Sequence, residues 1–169
     1  MTTKTAFTEE EWVRVLRAPL VAGMAISLSD PGGPIEATKE SVASLRTATN
    51  PPSREELLAD VALEVQAMAQ EHRNPLSGFK PTKDRPPGEQ VLDELEEAHR
   101  IVAAKATPDE TDAFSRWLVA SAQAAADAAK EGGFMGIGAE RVSEGEQAML
   151  ERVRAAVGAG APKDDDASE

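Results

Sequence analysis

Trp12, Val15, Leu16, Pro19, Leu20, Met24 and Leu28 recur at i, i+3, i+4 spacing, the period that turns one apolar face of a helix toward a core. The residues ahead of them, Phe7-Thr8-Glu9-Glu10-Glu11-Trp12, read as a helix start. Thr8 and Glu11 are spaced for a capping box, Phe7 and Trp12 for a hydrophobic staple, and the three glutamates suit the positive helix end. Pro19 removes a backbone donor inside the run, which predicts a kink or break near Arg17. Ser29-Asp30-Pro31-Gly32-Gly33 ends the segment. Pro34 suits the first position of a weaker second helix, with Ile35, Val42 and Leu45 inward.

The pattern resumes after Asn50-Pro51-Pro52. A third helix is predicted from Ser53, capped with Glu56, with Leu57, Leu58, Val61, Val65 and Met68 on its inner face. Residues 73–88, RNPLSGFKPTKDRPPG, hold four prolines and two glycines without a period, and read as a long surface connection. Val91, Leu92, Leu95 and Val102 define a fourth helix. Thr107-Pro108-Asp109-Glu110 sets a cap, a first-turn proline and a capping-box glutamate in register for a fifth, whose face continues through Phe114, Trp117, Leu118 and Ala125. Its alanine-rich end, Ala120 to Ala129, allows close approach of neighbouring helices. Ser143 and Glu146 cap a sixth helix, with Met149, Leu150, Val153 and Val157 inward before Gly158.

No segment alternates as a strand would. The expected fold class is therefore all-α: one domain over residues 1–158, a bundle of about six helices, with an acidic tail over 159–169 expected to be disordered. SDPGGPIEATKE and KEGGFMGIGAERVSEGE each join an alanine-rich helix to a glutamate-bearing one, a pattern that allows two related helix hairpins.

Charge and composition narrow the function classes. Thirty acidic against 18 basic residues give a net charge of -12, which opposes nucleic-acid and anionic-membrane partners. The absence of cysteine excludes thiol catalysis, disulfides and thiolate metal sites. Met1 to Glu11 is polar and acidic rather than a leader. The longest stretch without a polar side chain, Ala18 to Ile26, is far short of the roughly 20 residues of a span. Cytoplasmic localisation is the expectation. Thirty alanines, and 11 arginines against seven lysines, suggest a GC-rich bacterial source.

Few residues carry recognisable chemistry. Glu96-x-x-His99 has the spacing of one half of a di-iron site, but His72 has Ala69 three residues before it, so a second pair is missing; both residues flank the apolar stripe of the fourth helix, and a solvated helix edge is the reading they favour over a metal site. Gly132-Gly133-Phe134-Met135-Gly136-Ile137-Gly138 follows a helix rather than a strand, and so does not fit a dinucleotide cradle. It leaves a glycine-rich turn up to Arg141 whose Phe134, Met135 and Ile137 either plug the bundle end or form a lid or partner-binding tip. Asp30, Glu36 and Glu40 offer oxygen ligands for a divalent cation, without the EF-hand pattern; helix capping explains the same acids. No cofactor is required by any of these residues.

VAGMAISLSDPGGPIEATKESVASL and AADAAKEGGFMGIGAERVSEGEQAMLERVRAAVG resemble the helix, acidic-glycine turn and Glu-bearing helix of tellurite-resistance TerB-type domains. In the first turn Asp30 is followed by Pro31 where that family reads Asp-Gly. GGFMGIGAERVSEGEQ also resembles a recurrent C-terminal signature of uncharacterised bacterial helical proteins. The TerB-type resemblance implies a cytoplasmic, non-catalytic stress-response domain with acidic cation-binding turns. Two expectations follow. The first is a non-enzymatic interaction or stress-associated domain working through its acidic surface and the turn after the fifth helix. The alternative is a small-molecule binder or enzyme with a pocket between helices one, five and six, where Gly23 and Ala122 to Ala129 leave room and His99 or an acid serves as base.

Overall fold

The structure, a computed structural model, describes residues 1–29, 43–130 and 143–159. Helices account for its regular structure: α1 (Glu9–Ser29), α2 (residues 43–48), α3 (Glu56–Gln70), α4 (Pro87–Lys105), α5 (Pro108–Lys130) and α6 (Glu144–Ala156), after a short 3-10 turn at Lys4–Ala6. Among the described residues there is no strand. The all-α bundle expected from the periodicity is the fold observed.

α1 lies at the centre, packed most extensively on α4 and α5. Its buried residues include Trp12, Val15, Leu16, Val21, Ala25 and Ile26. By length and composition α1 can also cross a membrane, with a mean hydropathy of 1.2, but 67% of that stretch is buried inside the bundle. The helix passes unbroken through the buried Pro19, so of the kink or break expected near Arg17 the break does not occur. Packing of α1 against α4 and α5 offsets the hydrogen bond that proline forfeits.

Three helix starts form as the sequence indicates. The Thr8 N–H donates to the Glu11 carboxylate at 2.7 Å while Thr8 Oγ1 accepts from the Glu11 N–H at 3.2 Å, and the Phe7 and Trp12 rings lie 5.6 Å apart. Thr107 with Glu110, and Ser143 with Glu146, close the same reciprocal box. α3 differs: it begins at Glu56, no side chain caps it, and Ser53 Oγ is buried without a hydrogen-bond partner. Leu28 and Leu45, expected inward, are 37% and 36% exposed. Residues 160–169, the expected tail, lie outside the described residues.

α2 wedges between α1 and α5. The Trp117 indole N–H donates to the Thr47 carbonyl at 2.9 Å, and a Cβ placed on Gly23 would overlap Ser44 Oγ. Glycine at 23 is thus what lets α2 approach the backbone of α1. Ala122, Ala125 and Ala126 are fully buried. α6 runs alongside α4, with Met149 at Gly88 and Gly158 at His99. Its end is a complete Schellman turn: Ala159 N–H to Arg154 O, Gly158 N–H to Ala155 O, with φ +64° at Gly158, the left-handed value that favours glycine.

Candidate functional site

Ser29, the last described residue before 30–42, and Gly145, shortly after 131–142, meet where α1 ends and α6 begins. A Cβ on Gly145, in the first turn of α6, would lie 3.4 Å from the Ser29 carbonyl at the end of α1. The Ser143–Glu146 box sets the direction of α6 there, with bonds of 2.8 and 3.1 Å. Beside this junction a cleft of about 490 Å³ opens between α5 and α6, lined by Gln123, Glu144, Gln147, Ala148, Leu150 and Arg154, with Glu151 completing it. Glu151 and Arg154 pair at 2.6 Å. Two amides and two apolar side chains among mostly paired charges make a surface suited to peptide backbone and apolar side chains rather than to a highly charged ligand. Asp30, Glu36, Glu40, Phe134, Met135, Ile137 and Arg141 lie outside the described residues.

Glu96 and His99 do share α4, one turn apart, but they face different surroundings. Glu96 is exposed. His99 is half-buried; its Nδ1 is 3.1 Å from Ser115 Oγ on α5, and a Cβ on Gly158 would lie 3.2 Å from its Nε2. Both ring nitrogens therefore face protein. Burial pushes the His99 pKa down, against the opposing charge of Asp112. Among the described residues no three His, Cys, Asp or Glu side chains gather as a metal site would need. The geometry makes His99 a brace joining α4, α5 and the end of α6. Sequence reasoning missed Ser115, which lies sixteen residues further on and becomes a neighbour only through the α4–α5 hairpin.

The other buried acids serve the fold. Glu94, 7% exposed, takes Arg17 Nε at 2.8 Å and Arg14 at 2.6 Å, tying α1 to α4. Glu110, 2% exposed, accepts from the N–H and hydroxyl of both Thr2 and Thr107. Burial alone would raise its pKa, but these four donors prevail and lower it to about 2. Glu64 is likewise held down, burial being outweighed by bonds from Lys4 and from the Trp12 indole. The room expected beside Gly23 is filled by Ser44.

No family model, no curated protein and no solved structure matches this chain.

Proposed function

We propose that this chain is a non-catalytic helical interaction domain of the cytoplasm, which docks a protein partner at the bundle end shared by α1, α5 and α6. The observation that carries this reading is the amide-lined α5–α6 cleft opening beside the Ser29–Gly145 junction. Residues 131–142, with Phe134, Met135, Ile137 and Arg141, connect the two helices that form it, and their apolar side chains are the kind of group a protein partner buries. The resemblance to TerB-type domains adds a stress-associated role, with a divalent cation held weakly by Asp30, Glu36 and Glu40.

Ala148 is exposed in the cleft, so Ala148→Arg fills the cleft without touching the core. The wild-type chain should capture a partner from lysate of its source cells that Ala148→Arg does not, while the urea midpoints of the two proteins agree. Equal capture by both would contradict the reading. Native mass spectrometry of the freshly purified protein tests the class itself: a stoichiometrically retained organic molecule would favour a small-molecule binder or enzyme.

A further inference from the structure

The outer face of α3 is uncharged along its middle. Leu63, Gln66, Ala67 and Gln70 are exposed and stand at the i, i+3, i+4, i+7 spacing of one helix stripe, in a chain whose residues are 28% charged. Leu63 is 64% exposed, the most of any large apolar side chain within a helix among the described residues. It also lies seven residues from either end of α3. Beside the stripe a groove of about 610 Å³ runs between α2 and α3, where Leu45 and Thr49 face Gln66, Ala69 and Gln70.

Charges border this face, and their sign differs between its two ends. At the start of α3, Glu55, Glu56 and Asp60 stand against Arg54 alone. Alongside the middle, Glu64 is paired with Lys4. At the far end Arg46 lines the groove, and Arg73 is paired with Glu71. The whole face thus has one negative charge in excess, out of the -12 of the chain. Glu56 and Arg46, at opposite ends, are both exposed and have no ion pair among the described residues.

We infer that this face joins two copies of the chain in a two-fold dimer, with α3 of one copy antiparallel on α3 of the other and Leu63 against Leu63. A two-fold contact sets a patch against itself, and strongly acidic surfaces repel their own copies. The near-neutral α3 face escapes that repulsion. Its ends decide the direction: antiparallel placement brings Glu56 of each copy to the Arg46 end of the other, whereas parallel placement sets like against like. Leu63, at the midpoint of α3, then falls on the axis. With α3 about 22 Å long and α2 beside it, the face measures roughly 20 Å each way, at the small end of specific interfaces. The dimer is accordingly a weak one. It is separate from the α5–α6 cleft, which shares no lining residue with the groove.

Sedimentation equilibrium of the full chain tests this at about 0.15 M salt, where the Debye length of about 8 Å screens the acidic remainder. The monomer mass is 17.9 kDa. Wild type should move toward twice that mass as its concentration rises from about 5 µM to about 500 µM. Leu63→Glu, which sets two like charges together on the axis, should stay monomeric throughout and keep the wild-type urea midpoint. Ala148→Glu makes the same charge change at an exposed site on α6 and should leave association within about twofold of wild type. Exchanging charges reads the interface without touching Leu63: Glu56→Arg should weaken association by about fivefold or more, and Glu56→Arg with Arg46→Glu should restore it to within about twofold. Four results would overturn the inference: a wild type still monomeric at the highest concentration, a Leu63→Glu variant that dimerises, equal loss in Ala148→Glu, or a charge exchange as weak as Glu56→Arg alone.

Discussion

Glu94 and Glu110 are both helical and both almost fully buried, yet their carboxylate oxygens find partners by opposite means. Around Glu110 every partner is neutral: two backbone N–H groups and two threonine hydroxyls, helped by the positive end of α5. Around Glu94 the partners are two guanidiniums. The first arrangement grows out of a capping box whose two members are three positions apart and then recruits Thr2 from the far end of the chain. The second exists only once α1 and α4 are packed. A local motif can seat a buried charge with dipoles alone; a charge between helices needs countercharges, whose desolvation makes the pair a register device more than a source of stability.

The comparison can be broken first at Glu94. Arg17→Ala should destabilise by about 3–5 kcal/mol in urea unfolding, since it leaves a buried carboxylate short of its main partner. Arg17→Met with Glu94→Leu should recover most of that loss, because a buried pair replaced by apolar side chains of similar size is often near neutral. If the double variant is as unstable as Arg17→Ala, the pair is a net stabiliser and the contrast with Glu110 disappears.

At Glu110 the effect appears as a pH dependence. Its carboxyl is lowered from 4.5 to about 2 in the folded chain, so the unfolded state takes up its proton first as the pH falls. The stability it contributes is full above about pH 4.5 and is lost between there and about pH 2, with an upper value of roughly 3 kcal/mol. Glu110→Gln should remove this part of the acid limb, read from unfolding midpoints between pH 5 and pH 2. An unchanged acid limb in the variant would show that the four neutral donors do not hold the charge.

His99 gives the smallest effect, of the same sign as that of Glu110 but in a higher pH window. Burial pushes its pKa below 6.5, so the folded chain binds fewer protons there than the unfolded one, and stability falls as pH drops below about 6.5. His99→Phe should flatten the stability profile from about pH 7 to pH 5. A slope as steep in the variant as in the wild type would exclude His99 as its source.

How much could be read from the sequence follows the same division between local and distant. The boxes at Thr8, Thr107 and Ser143, the inward faces of α3 to α6 and the glycine that ends α6 all depend on residues within a turn or two of one another, and each formed. Ser53 failed as a cap because its hydroxyl was drawn into the interior rather than to the start of α3. Pro19 was tolerated because α1 is surrounded by other helices. The pairs Arg17–Glu94, His99–Ser115 and Thr2–Glu110 span 77, 16 and 108 positions, and no periodicity brings them together. Of the candidate site, the start of α6 and its apolar stripe were legible. The cleft was not, because it requires Gln123 on α5 and Gln147 on α6 to be neighbours.

The most direct test of the interaction reading is urea unfolding of the triple variant Phe134→Ser, Met135→Ser, Ile137→Ser. If these side chains form a docking tip, the stability should change by less than about 1 kcal/mol, since no buried apolar surface is lost. If they plug the bundle end, the loss should be several kcal/mol, at about 1.5–3 kcal/mol for each large side chain withdrawn from the core, and that result would contradict the account.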